Sequence, residues 1–377
     1  MAKKKKSDNK VRTEFRKRHD SRKRKKDFTR EFHDQDQDLE DIGKTERVSG
    51  KGELTRKRTI VGAENSDDRD GFQVDLKIDE TKCLSARVIR VHGLNSIVRT
   101  SDGVQFECAI RGILKSLSTD LQHVVVAGDH VVIQKLDDHQ AVIVRVEKRR
   151  NQLSRTSRKR QQIIVSNVDQ VLIVASAAEP MLKPNLIDRY IVTAEKARIQ
   201  PIIVINKIDL VYPADLQPIS GVWGQLGYPI LHLSVTRNIN IDQLRNIVAN
   251  KDSVVTGQSG VGKSSILNAI QKGLDVRVAK VSSDNQKGKH TTTTAELIPL
   301  DLGGHLIDTP GIRQFQLWDI VPEEVAGFFR EIRPYVTGCR FPDCTHTHEE
   351  DCQVKYAVAD GRIDVRRYES YCQIREE

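Results

Sequence analysis

Between residues 81 and 150, apolar and polar positions alternate in short runs at 85–91, 96–99, 105–110, 130–133 and 141–144. Period-two alternation is the signature of strands that bury one face. Gly93, Gly103, Gly112 and Gly128 punctuate the runs. The pattern predicts five short strands in a small closed barrel, an OB-fold first and an SH3-like barrel as the alternative. Beyond residue 160 the pattern changes. Continuous apolar runs at 168–175, 201–205, 229–233 and 252–256 predict buried strands, with helical spacing at 185–197 and 241–249 between them. Such alternation is an α/β domain whose parallel sheet is covered on both faces. Near the C-terminus, 322–335 and 363–374 read as helices flanking a cysteine-rich loop. Residues 1–80 are charge-rich and poor in apolar residues, so they predict a disordered tail and linker. The domain boundaries expected are therefore 1–80, 81–150, 151–318 and 319–377.

Charge refines this picture. The net charge is +9, yet residues 1–30 alone hold fifteen Lys/Arg against four Asp/Glu, so the remainder is close to neutral. Arg16-Lys17-Arg18 and Arg22-Lys23-Arg24-Lys25-Lys26 read as an arm for RNA phosphates, with a merely solvated tail as the alternative. The start, Met1-Ala2-Lys3-Lys4-Lys5-Lys6, has no apolar core of a secretory signal, and no apolar run is long enough to span a membrane. Six cysteines in 377 residues make no disulfide framework. A cytoplasmic location with no membrane partner is expected.

The chemistry lies in the α/β region. Gly257-Gln258-Ser259-Gly260-Val261-Gly262-Lys263-Ser264-Ser265 matches G-x-x-x-x-G-K-[ST] between a predicted strand and a predicted helix, the context of a phosphate-binding loop. Its glycines let backbone amides wrap a phosphate; Lys263 would reach the β- and γ-phosphates and Ser264 would ligate Mg²⁺. Asn206-Lys207-Ile208-Asp209 ends a buried strand, where Asp209 can accept two hydrogen bonds from guanine that adenine cannot offer. Ser234-Val235-Thr236 fits a loop closing over the base, though it departs from the usual Ser-Ala-Lys. Asp308-Thr309-Pro310-Gly311 would hold Mg²⁺ through water by Asp308 and sense the γ-phosphate by the Gly311 amide. Gly288 to Thr294 reads as a switch segment in which Thr293, or alternatively Thr292, completes the Mg²⁺ shell.

Together these are the motifs of a GTPase in rotated order. Base recognition precedes the phosphate loop, which precedes the switches, and helix 241–250 can join the former termini. Ile312 stands where a water-orienting glutamine is usual, so basal hydrolysis should be slow. His290 is the candidate catalytic group beside Lys263, with an exposed or RNA-binding loop histidine as the alternative. Finally, Cys339-x₄-Cys344-x-His346-x₅-Cys352 is the ligand set of a closed structural Zn²⁺ site, with His348 as an alternative ligand. Arg362, Arg366 and Arg367 would face RNA or solvent.

The barrel, the permuted motifs (with Gly-Lys-His-Thr-Thr-Thr and Asp-Thr-Pro-Gly-Ile-Arg) and the Cys-Cys-His-Cys cluster resemble the ribosome small subunit-dependent GTPase A family of bacteria over about residues 81–377. The resemblance implies an N-terminal OB-fold barrel, a circularly permuted P-loop GTPase domain and a small zinc domain. It implies a slow GTPase, stimulated by the 30S ribosomal subunit, that contacts 16S rRNA and helps release an assembly factor late in subunit maturation. It also implies that Asn206–Asp209 and Gly257–Ser265 bind GTP with Mg²⁺, that the Cys₃His set holds zinc, and that His290 assists hydrolysis. A monomer is expected. The long basic tail and Gly-Lys-His in place of Gly-Arg/Gln-His depart from the family pattern.

Overall fold

The computed structural model describes residues 10–14, 57–64, 74–76, 83–93, 95–111, 114, 124–157, 160–271, 295–308 and 320–376. The chain divides into two compact units, residues 1–150 with 157–166, and 151–156 with 167–377. In the first 80 residues the structure describes three strands, Lys10–Glu14, Lys57–Glu64 and Val74–Leu76, paired antiparallel in that order.

The first unit holds the expected barrel, with strands β1 Cys83–His92, β2 Asn95–Thr100, β3 Gln105–Ile110, β4 His130–Lys135 and β5 Gln140–Val146. Their order is β1-β2-β3-β5-β4, and β4 pairs back onto β1 to close the sheet. β3 and β5 run parallel while the other pairs are antiparallel. That single parallel pair identifies the OB topology. Val88, Val98, Phe106, Cys108, Ile133 and Ile143 fill the interior. Burial pushes the Cys108 thiol up to about 12, as befits an inert core residue. Beneath the barrel Asp129 is fully buried. It accepts from Arg149 Nε (2.7 Å) and Nη2 (2.8 Å), from Ser166 Oγ (2.6 Å) and from the Val126 amide (2.9 Å). A buried charge is tolerated only when saturated in this way.

The second unit is built on a sheet of β6 Gln170–Ser176, β7 Gln200–Asn206, β8 Ile230–His232, β9 Lys251–Thr256, β10 Glu296–Pro299 and β11 Gly304–Asp308. Their order is β8-β7-β6-β9-β11-β10. All pairs are parallel except β10 with β11. β6 is buried at every position, as a central strand covered on both faces must be. Helices α1 Pro184–Lys196, α2 Gln217–Gln225, α3 Ile241–Val248 and α4 Lys263–Ile270 connect the strands. α3 presents Ile241, Leu244 and Val248 to the core and passes into β9 through Ala249 and Asn250. It is the joint that the rotated motif order demands.

The C-terminal part differs from expectation in detail. The single helix expected over 322–335 is broken into Val325–Phe328 and 3₁₀ turns at Pro322–Glu324 and Arg333–Gly338. Gly327 weakens that helix and Pro334 cannot sit in its interior. Helices α5 Gln353–Ala359 and α6 Val365–Glu376 follow. After β5 the chain also forms a strand at Gln152–Ser157.

Candidate nucleotide and metal sites

β9 ends at Thr256 and the chain turns at once through Gly257, Gly260 and Gly262, all with positive φ. At two of them a side chain has no room. A Cβ on Gly257 would stand 2.0 Å from the Val174 carbonyl oxygen, and one on Gly262 would stand 2.4 Å from Asn206 Nδ2. The loop is thereby pressed onto β6 and β7, and Gly262 caps α4. The first intrahelical bond of α4 runs from the Ile266 amide to Gly262 O (2.9 Å), so the Ser264 and Ser265 amides precede it. Lys263 Nζ donates to the carbonyls of Gly257 (2.8 Å) and Gln258 (2.7 Å), folding its ammonium over the loop where phosphate oxygens would otherwise receive it.

The base motif lies beside this cradle. Asn206, the last residue of β7, is buried, and its Nδ2 donates to Val261 O at 3.0 Å. This bond ties the base loop to the phosphate loop. Asn206 Oδ1 is buried with no protein hydrogen bond, an acceptor left for a ligand to satisfy. Lys207 adopts left-handed backbone and its Nζ donates to Glu179 O. Ile208 and Asp209 enter a 3₁₀ turn on which Asp209 is exposed at the mouth of the site. Ser234 is fully buried, its Oγ accepting the Arg237 amide (3.0 Å) and its own amide bonded to Ile239 O (3.2 Å). The amides that the loop can offer a base are therefore those of Val235 and Thr236. Ser259, Gly260 and Ser265 are exposed along the cradle; Gln258 and Ser264 are half-buried.

Asp308 closes β11, one strand from the phosphate loop. His290, Thr293 and Gly311 lie outside the described residues.

In the C-terminal segment Cys339, Cys344, His346 and Cys352 converge, their ligand atoms all within 4.8 Å of one another. His346 Nδ1 stands 3.4 Å from Cys339 Sγ and 3.5 Å from Cys352 Sγ, and the two sulfurs are 3.8 Å apart. A tetrahedral zinc with bonds of about 2.3 Å to sulfur and 2.0 Å to nitrogen would set these edges at about 3.8 and 3.5 Å. The donor set fits a structural zinc. Burial, followed by the neighbouring Cys352 and Cys339, pushes the Cys344 thiol up to about 12, and burial lowers the His346 imidazole. The histidine is thus ready as a neutral ligand while Cys344 must surrender a proton. His348 is exposed, with Nδ1 3.1 Å from Thr347 Oγ1, and stands apart from the cluster. Sequence reasoning missed the supports of this loop. Tyr368 and Tyr371 donate from α6 to the carbonyls of His346 and Thr345, each at 2.7 Å. Glu349 accepts from the Thr345 amide (2.7 Å) and hydroxyl (2.5 Å) and from the Thr347 amide (3.1 Å). Burial works against the Glu349 charge, yet these donors hold its carboxyl at about 2. Arg367, expected at the surface, is fully buried.

Comparison with known proteins agrees with this geometry. A family model described as RsgA GTPase matches residues 146–318. The Small ribosomal subunit biogenesis GTPase RsgA of Gemmatimonas aurantiaca is 41% identical over 285 residues, covering 74% of this chain and 92% of that protein. Among solved structures, YjeQ from Thermotoga maritima aligns with a TM-score of 0.65 at 33% identity, covering 78% of this chain and 98% of its own. YloQ, described as a circularly permuted GTPase, aligns with a TM-score of 0.61 at 28% identity over 80% and 97%. An identity of 41% across most of both chains, over a cradle and base motif in the permuted order, means that this GTP hydrolase belongs to the RsgA family of GTPases.

Proposed function

We propose that the chain is a GTPase of small-subunit ribosome biogenesis that docks on the 30S subunit, hydrolyses GTP slowly alone and faster when docked, and promotes release of an assembly factor. The observation that carries the nucleotide part is the Asn206–Val261 bond, which joins guanine recognition and phosphate binding into one rigid floor. The names of the relatives support the ribosomal part.

In the mechanism, guanine N1–H and N2–H₂ donate to Asp209, and the Lys207 stem covers one face of the base. The Val235 or Thr236 amide closes on the other edge. Lys263 leaves the carbonyls of Gly257 and Gln258 for the β- and γ-phosphates, which the amides of Gln258–Ser265 surround. Mg²⁺ bound with GTP, held by Ser264 and Thr293 directly and by Asp308 through water, would neutralise charge on the phosphates. The Gly311 amide senses the γ-phosphate. Since Ile312 cannot orient water, His290 supplies that function in the docked protein. The basic arm and the barrel bind 16S rRNA. Zinc at Cys339, Cys344, His346 and Cys352 shapes the C-terminal segment. The protein acts as a cytoplasmic monomer.

Phosphate release from GTP, measured with and without purified 30S subunits, tests this reading. Docking should accelerate turnover, and His290→Ala should lose most of that acceleration, about 10²-fold or more, while still binding GTP and subunits. A rate that subunits leave unchanged would overturn the docking-dependent mechanism.

A further inference from the structure

Helix α1 has two occupied faces. On one, Leu186, Ile187 and Tyr190 line a cleft together with Ser176, Gln258 and Val261, so this face walls the flank of the phosphate loop. The other face carries Asp188, which is fully buried and saturated. Trp223 Nε1 (2.7 Å) and Arg367 Nη1 (2.6 Å) donate to its Oδ1, and Ser370 Oγ (2.7 Å) donates to its Oδ2. Arg367, also fully buried, reaches Glu331 through Nε at 2.6 Å and lies 4.5 Å over the Phe329 ring. Further along α1, Glu195 meets Arg330 (2.7 Å) and Lys196 meets Glu324 (3.0 Å).

The partner helix α6 is likewise shared. Arg367 and Ser370 grip α1, while Tyr368 and Tyr371 hold the carbonyls of His346 and Thr345 in the metal-binding loop. Two packed helices therefore connect that loop to the phosphate loop.

We infer that Asp188 is a positioning residue for the nucleotide site: it locks α6, and the metal-binding loop that α6 holds, onto the helix that walls the phosphate loop. Apolar packing alone would let the two helices slide. A buried carboxylate with three fixed donors admits one register, because any slip strands a charge. It follows that metal and nucleotide are coupled, and that the coupling is reciprocal. The inference rests on the zinc reading of the Cys₃His set, which metal analysis checks separately.

The experiment uses the full chain, zinc-loaded or stripped with a chelator. Affinity for fluorescently labelled GDP should be higher in the loaded protein by roughly 5–150-fold. Zinc affinity, read by competition with a chromogenic chelator, should rise by the same factor when GDP saturates the protein. Linkage makes the two factors equal whatever carries the coupling, so the equality checks the measurement and the variants identify the carrier. Asp188→Asn should bring both ratios close to one while zinc remains stoichiometric. Ser370→Ala, which leaves the Arg367 pair in place, should reduce them part-way, and it decides the matter if Asp188→Asn does not fold. A ratio of one in parent protein that carries stoichiometric zinc would overturn the coupling. So would ratios undiminished in both variants. Fresh protein without stoichiometric metal would instead overturn the zinc reading, and the inference with it.

Discussion

The phosphate loop takes its shape from backbone that admits no side chain, whereas the metal-binding loop takes its shape from side chains that reach it from elsewhere. Gly257 and Gly262 sit where a Cβ would strike Val174 O or Asn206 Nδ2, so the cradle is pressed into form before any nucleotide arrives. Lys263 ties the loop to itself, and the tether from Asn206 to Val261 O comes from the base motif of the same site. The metal loop has the opposite economy. Its cysteines repel one another as thiolates, and it leans on Tyr368, Tyr371 and Glu349 for its carbonyls and amides. A site for an anion can be preformed from amide dipoles. A site made of three thiolates is completed by the cation that neutralises them.

The largest expected effect follows from that contrast. In the metal-free protein burial raises both Cys344 and Cys352, so both are thiols at neutral pH, and each must lose its proton to bind zinc. His346 is shifted the other way and is already neutral there. Protons thus compete with the metal, and zinc affinity rises with pH throughout the window below the raised thiol values. The slope should be at least about two decades of affinity per pH unit. Chelator competition between pH 6 and 8 measures it; a flat profile would mean that the thiols are ionised before the metal binds. The phosphate cradle has no thiol to deprotonate and should show no comparable slope.

Next in size is Gly262→Ala. The new Cβ would meet Asn206 Nδ2 at 2.4 Å and force a left-handed residue with φ of 93°. Strain and the lost Asn206–Val261 bond together should cost about 3 kcal/mol, roughly 100-fold in nucleotide affinity. Titration with a labelled GTP analogue reads this directly. An affinity close to the parent's would show that the cradle forms only around its ligand, and the contrast with the metal loop would dissolve.

These two centres were legible in the sequence to different depths. The cradle is nine consecutive residues, and adjacency in sequence gave its geometry. The Cys₃His cluster lies within fourteen residues, so its spacing was readable, but only the fold separates the buried, convergent His346 from the exposed His348. What spacing cannot reveal is a contact between distant residues. Asp188 and Arg367 are 179 positions apart, and nothing in the run Val365-Arg366-Arg367-Tyr368 marks one arginine as buried and the next as half-buried. The barrel teaches the same point: five strands were readable from alternation, but its OB identity rests on the parallel pairing of β3 with β5, which no local pattern encodes. Strand β10 was missed because four residues carry too little periodicity.

The smallest effect isolates the outside support of the metal loop. Tyr368 Oη donates to the carbonyl of His346, a ligand residue held in left-handed backbone with φ of 59°. That conformation is unusual for a histidine, and the tyrosine fixes the peptide that imposes it. Tyr368→Phe keeps the ring, and with it the stacking against Tyr371 at 6.2 Å between ring centroids. Only the hydroxyl is lost. Removing one such hydrogen bond costs about 1 kcal/mol, so zinc affinity should fall roughly fivefold. Folding and the chelator-free zinc content should be unaffected, because a fivefold loss leaves a structural zinc site tightly occupied. Competition with a chromogenic chelator resolves a change of that size. If affinity is unchanged, the ligand loop holds its own shape, and it would resemble the phosphate cradle more than the present contrast allows.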